Sequence, residues 1–143
     1  MDWLSLSRTL NSLHGKEFLK VSGARFLGLP DDDFRYESIS LHLDRKIISL
    51  VVDADNDEIL ISLLDDHLIT DKKCYVQIPA LEKFVGKKIS WMWSCTSWLG
   101  YRDAILISFG EFFPDVIIVS SGSAIEVFSV EQESREFRGH YTN

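Results

Sequence analysis

Between Ala104 and Val130 the chain carries three short apolar runs, Ala104 to Phe109, Val116 to Val119 and Ala124 to Val130, separated only by "GEFFPD" and "SSGS". Parallel neighbours need a crossover of a dozen or more residues, whereas antiparallel neighbours close through a few. These gaps admit only the second arrangement. The runs are rich in β-branched residues and bounded by Gly, Pro, Asp and Ser, so they read as three consecutive antiparallel strands. The first two are almost continuously apolar, which predicts cover on both faces. In the third, Ile125, Val127 and Val130 oppose Glu126 and Ser129, a more one-sided strand whose alternation Phe128 breaks.

Upstream, Lys88 to Ser94 alternates, with Ile89, Trp91 and Trp93 on one side of an extended strand and Ser90, Met92 and Ser94 on the other. Ser94 to Asp103 has no clean period, and Gly100 tolerates positive φ, so a long reversal is expected there, carrying Trp98 and Tyr101. From the start of the chain, Asp2 is placed to cap a helix from Trp3 to His14, in which Trp3, Leu6, Leu10 and Leu13 recur at helical spacing and Gly15 follows the end. Glu17 to Val21 and Ala24 to Leu29 read as extended, with Gly23 as a bulge and "DDDF" at Asp31 to Phe34 as a solvated loop. Tyr36 to Asp44, Lys46 to Val52 and Glu58 to Leu64 form a three-strand meander, with "DADND" as the last hairpin loop. Pro79 opens a short helix that presents Leu81, Phe84 and Val85 and stops at Gly86.

The expected fold class is therefore α+β: a mostly antiparallel, twisted sheet of meander type, with the N-terminal helix and the second short helix packed on it. A strongly curved sheet or partial barrel is the alternative. Residues 1–130 form one domain and 131–143 a polar C-terminal tail. A domain of this length buries about 70% of the surface its unfolded chain exposes, enough for a core without disulfide or metal staples.

Composition narrows the function by exclusion. The net charge of −7 disfavours a protein that binds nucleic-acid backbone or an anionic membrane, since both need Lys and Arg to neutralise phosphate. It favours a basic protein partner. Two cysteines without Cys-x-x-Cys spacing, no basic segment followed by an apolar stretch at the N-terminus and no run of about 18 apolar residues point to a cytoplasmic protein.

Motifs for chemistry are missing at the spacings that chemistry requires. "DADNDE" at Asp53 to Glu58 has alternating carboxylates, but a calcium loop counted from Asp53 needs Gly and Glu where Glu58 and Leu64 stand. His14, His42, His67 and His140 form no zinc pattern with Cys74 or Cys95. Neither Cys95 nor Ser121 and Ser123 of "SSGS" sits in a recognisable nucleophile motif, and no phosphate-binding glycine loop occurs. No cofactor and no metal is expected, and the balance leans away from an enzyme.

The tryptophans are the most informative residues. Trp91 and Trp93 are expected in the core, against the N-terminal helix. Trp98 and Tyr101 in the reversal suit an exposed contact surface, with Arg102 and Asp103 beside them to orient a polar partner and Asp31, Asp32 and Asp33 as an acidic loop. The pattern Trp91-x-Trp93, then Gly100-Tyr101-x-Asp103 and a following apolar strand resembles that of a small uncharacterised bacterial domain family, which implies a compact bacterial domain and no particular activity. The expected function is a non-enzymatic protein-binding module, such as an immunity-type inhibitor of a basic toxin. The alternatives are a small-molecule binder or small hydrolase with a pocket between sheet and helix, and a structural subunit that self-assembles.

Overall fold

The computed structural model of the chain describes residues 3–24, 34–65, 75–110 and 113–130. Along these run α1 (Trp3–Ser12), β1 (Lys20–Ala24), β2 (Arg35–Tyr36), β3 (Ser38–Leu43), β4 (Lys46–Asp53), β5 (Glu58–Asp65), β6 (Tyr75–Val76), α2 (Pro79–Glu82), β7 (Trp91–Thr96), β8 (Arg102–Ser108), β9 (Val116–Ser121) and β10 (Ala124–Ser129). The strands form two five-stranded sheets, ordered β5-β4-β3-β1-β6 and β2-β10-β9-β8-β7, and every pairing is antiparallel.

This overturns the α+β expectation: the molecule is mostly antiparallel β in two sheets, not one sheet covered by helices. The reason lies in what each sheet finds to bury. Ile39, Leu41, Ile48, Leu50, Ile59 and Ile61 from the first sheet and Ile105, Ile107, Val116, Ile118 and Ile125 from the second form one buried cluster. Each sheet is the other's cover, so neither needs a helical layer. Complete burial of each such side chain is worth about 1.5–3 kcal/mol. Among the described residues helical structure is confined to α1 and to the single turn α2, whose fully buried Leu81 fills the space where α2 meets β1 of one sheet and β10 of the other.

One extended segment serves both sheets. In β2, Arg35 and Tyr36 pair with Glu126 and Ile125 of β10; after Glu37, whose N–H donates to the Ala24 carbonyl at 2.8 Å, β3 pairs with β1 and β4. Gly23 sits beneath this crossing. It keeps regular register with Ile39 and Val76, so it is not the expected bulge. It serves close approach instead: a Cβ there would stand 2.7 Å from Tyr36 Cδ1 and 3.0 Å from Ile78 Cδ1.

Two further expectations change. The second-sheet strands are not covered on both faces, because burial alternates along β8 and β9: Ile105, Ile107, Val116 and Ile118 are buried while Leu106, Ile117 and Val119 are only half-buried. Trp91 and Trp93 are not core residues either. Ile89 enters the core, the chain is irregular at Ser90, and from Trp91 onward it is Met92 that packs against the core. Trp91 is left 42% exposed and meets the ring of His14, just beyond α1, edge-on at 5.5 Å.

Candidate functional site

Three hairpin ends, drawn from both sheets, meet at one end of the molecule. The first is the β4–β5 loop. Its Asp-rich composition is spent on turn chemistry: Asp53 accepts from the Asp55 N–H at 3.0 Å and from the Asn56 side-chain amide at 3.3 Å, and Asp57 takes a left-handed conformation at φ 53°. The second is the β9–β10 turn, where Gly122 and Ser123 both have positive φ, as a two-residue hairpin turn twisted to match its strands requires. The Ser123 N–H donates to Asp57 Oδ1 at 3.0 Å, and the Ser120 hydroxyl donates to the Asp57 carbonyl. These bonds tie the first sheet to the second.

The third end is the β7–β8 connection, and it carries the residues singled out from sequence. The Ser97 N–H donates to the Tyr101 carbonyl at 2.8 Å, and the Gly100 N–H donates to the Ser97 carbonyl at 2.9 Å; Gly100 at φ 90° lets the chain turn between them. The backbone of the tip is thus fixed while its side chains project. Trp98 is 92% exposed, Leu99 is 60% exposed and Tyr101 is exposed beside them.

Arg102 and Asp103 lie at the base of this hairpin rather than at its tip. Arg102 Nε donates to Ser94 Oγ at 3.0 Å, and its Nη1 donates across the sandwich to the Ile59 carbonyl at 3.3 Å. The guanidinium therefore clamps β7 and β8 to β5. Cys95 pairs with Ala104 and Thr96 with Arg102, which leaves Asp103 as the extra residue of a bulge. Bulges at sheet rims twist a hairpin and re-aim its end. Asp31, Asp32 and Asp33 lie outside the described residues. Sequence reasoning missed that Asp53, Asp55 and Glu58 share the end of the molecule with Trp98; their hairpin loop was legible, but nothing in the spacing shows which loop it neighbours.

Among the described residues no group of three or more His, Cys, Asp or Glu side chains is placed to hold a metal ion. Cys95 is a half-buried free thiol on the outer side of β7, and Ser123 is occupied in its turn. Ser22 Oγ and His42 Nε2 stand 3.5 Å apart on the outer face of the first sheet, a diagonal cross-strand contact at the long limit of a hydrogen bond. A cavity of about 290 Å³ opens between the end of α1 and the start of β7, lined by Asn11, His14, Ile89, Ser90, Trp91 and Met92. No helix among the described residues is long and apolar enough to cross a membrane.

Comparison with curated proteins and with solved structures finds no match. A family model does match, over residues 6–134, so the likeness reaches far outside the Trp91 to Asp103 pattern and the strand after it and takes in strands of both sheets. The chain belongs to the family of unknown function DUF6334.

Proposed function

We propose that this protein is a non-enzymatic binding module that engages a basic protein partner with its hairpin end, in the manner of an immunity-type inhibitor. The observation that carries the reading is Trp98, 92% exposed on a tip whose backbone is fixed by two hydrogen bonds and one glycine. Leaving a tryptophan in water forgoes the burial of roughly 200 Å² of ring surface, and large exposed aromatics on rigid supports are the usual anchors of protein interfaces. The carboxylates of Asp53, Asp55 and Glu58 on the neighbouring loop and the chain's charge of −7 favour a cationic surface around the pocket that takes the ring. In this reading it acts in the bacterial cytoplasm, where Cys95 stays a thiol.

The test is capture of partners from the native bacterial lysate by the tagged protein, repeated with Trp98→Ala and at raised salt. A stoichiometric basic partner lost in both conditions supports the reading. A partner retained equally by Trp98→Ala refutes the assignment of the surface. A second reading, a small-molecule binder, is favoured by the cavity beside Trp91, whose size stands at the lower end of small-ligand sites and whose lining mixes an aromatic ring with amide, imidazole and hydroxyl groups. Saturation-transfer NMR with a fragment library, competed by His14→Ala, separates it from the first.

A further inference from the structure

The outer face of the second sheet carries an apolar row that crosses four strands. Trp93 pairs with Leu106, Leu106 with Ile117 and Ile117 with Phe128, so the four side chains stand in one line across β7, β8, β9 and β10. Their inward neighbours Ile105, Ile107, Ile118 and Val127 belong to the core or pack against it, which fixes the row on the opposite side. A second line, Cys95, Ala104, Val119 and Glu126, runs beside it. Phe128 is 50% exposed, and Leu106, Ile117 and Val119 are half-buried in a sheet whose other face is fully occupied. A solvated sheet face ordinarily alternates to polar residues; this one does not.

We infer that this face is a docking surface for a second copy of the chain, forming a weak face-to-face dimer. Charge selects the occupant. At the outward positions of Trp91 to Cys95, Ala104 to Ser108, Ile117 to Ser121, Ala124 to Phe128 and Arg35, the charged residues are Glu126 and Arg35, of opposite sign and paired in register. A basic partner has no surplus of carboxylates to meet here, whereas two copies of this face, with one Glu and one Arg each among its described outward positions, bring no net charge to the contact. A twisted sheet face also complements itself, because two sheets of the same hand pack at about −30° with side chains interleaved. Four strands about 4.8 Å apart and six residues at about 3.3 Å each give a patch roughly 20 Å square, or about 400 Å² per copy. A dimer then buries roughly 800 Å² or somewhat more, short of the 1,200–2,000 Å² of stable complexes and in the range of transient ones. The surface is separate from the Trp98 tip, and the inference stands or falls without the binding reading above.

Sedimentation velocity of the full chain, from about 5 μM to about 500 μM, tests it across the range expected of a transient interface. The wild type shifts from monomer to dimer with rising concentration. Ile117→Lys and Phe128→Lys, both at outward positions, stay monomeric with unchanged circular dichroism. Raising salt leaves the wild-type dimer equal or stronger, because it screens the repulsion of two acidic chains. A wild type that is monomeric throughout overturns the inference, as do lysine variants that dimerise like the wild type or a dimer that salt dissolves. If the wild type is monomeric but Phe137→Ser with Tyr141→Ser dimerises, the C-terminal residues and not a second copy occupy the face.

Discussion

Gly23→Ala puts a number on the crossing strand. Gly23 lies in β1 with no positive φ, so alanine meets no backbone penalty there and, by narrowing the unfolded ensemble, would ordinarily gain about 0.4–1 kcal/mol. Against that gain stands its methyl group, 2.7 Å from Tyr36 Cδ1 and 3.0 and 3.1 Å from Ile78 Cδ1 and Cγ1. Contacts that short force neighbours to move, and both neighbours are fully packed: Tyr36 is where the chain changes sheets, and Ile78 precedes α2. Overpacking costs about 1–3 kcal/mol, and a contact below 3.0 Å belongs in the upper part of that range, about 2–2.5 kcal/mol, so after the gain is subtracted the net effect is a loss of about 1–2 kcal/mol. For a chain of 143 residues that lowers Tm by roughly 2–8 °C. Urea unfolding followed by circular dichroism gives the midpoint shift at constant slope. Ile78→Val, which removes Cδ1, combined with Gly23→Ala should cost less than the two changes summed. A Gly23→Ala protein as stable as wild type, or more so, would refute the argument that close approach selects glycine here.

Other variants probe the hairpin end. Arg102→Ala removes donors to Ser94 and Ile59 and loosens β7 and β8 from β5; calorimetry should show a loss of about 1.5–3 kcal/mol. Asp57→Ala leaves the Ser123 N–H without its carboxylate acceptor and puts a less tolerant residue at positive φ, a cost of about 1–2 kcal/mol, of which Asp57→Asn should restore most, measured by urea midpoints. Trp98→Ala should leave Tm within about 1 °C, as expected of a surface change, while weakening the captured complex by about 2 kcal/mol, near 30-fold in Kd by calorimetric titration.

Much of the strand content was legible because polar and apolar residues alternate over strand-length runs. The expected strands Lys46 to Val52 and Glu58 to Leu64 fall within β4 and β5, and Ile39, Leu41 and Leu43 are the buried positions of β3, as their period implies. Alternation cannot show what covers a face, and that is where the reading failed. Continuous apolar runs in β8 and β9 imply cover on both sides, yet Leu106, Ile117 and Val119 lie on an outer face; the two helical segments imply a helical layer, yet a second sheet takes that place. The tip was legible from Gly100 and its aperiodic neighbours. Arg102 looked like a surface cation because its acceptor is the Ile59 carbonyl, a backbone group far off in the chain that no side-chain pattern marks.

Arg35 to Leu43 also fixes an order of events during synthesis. Lys20 to Asp65 emerges first and contains all the strands needed for the β1-β3-β4-β5 ladder, but β2 must wait for β10, the last strand of the described chain, to leave the ribosome. Until then Arg35 and Tyr36 hold open an edge that only the final hairpin can close. A polypeptide cut between Lys87 and Lys88 would yield two pieces, the later of which lacks the border strand of its own sheet. Such halves should rebuild the fold only when mixed, which makes the chain a natural candidate for fragment complementation, with recovery of native near-ultraviolet dichroism as the signal.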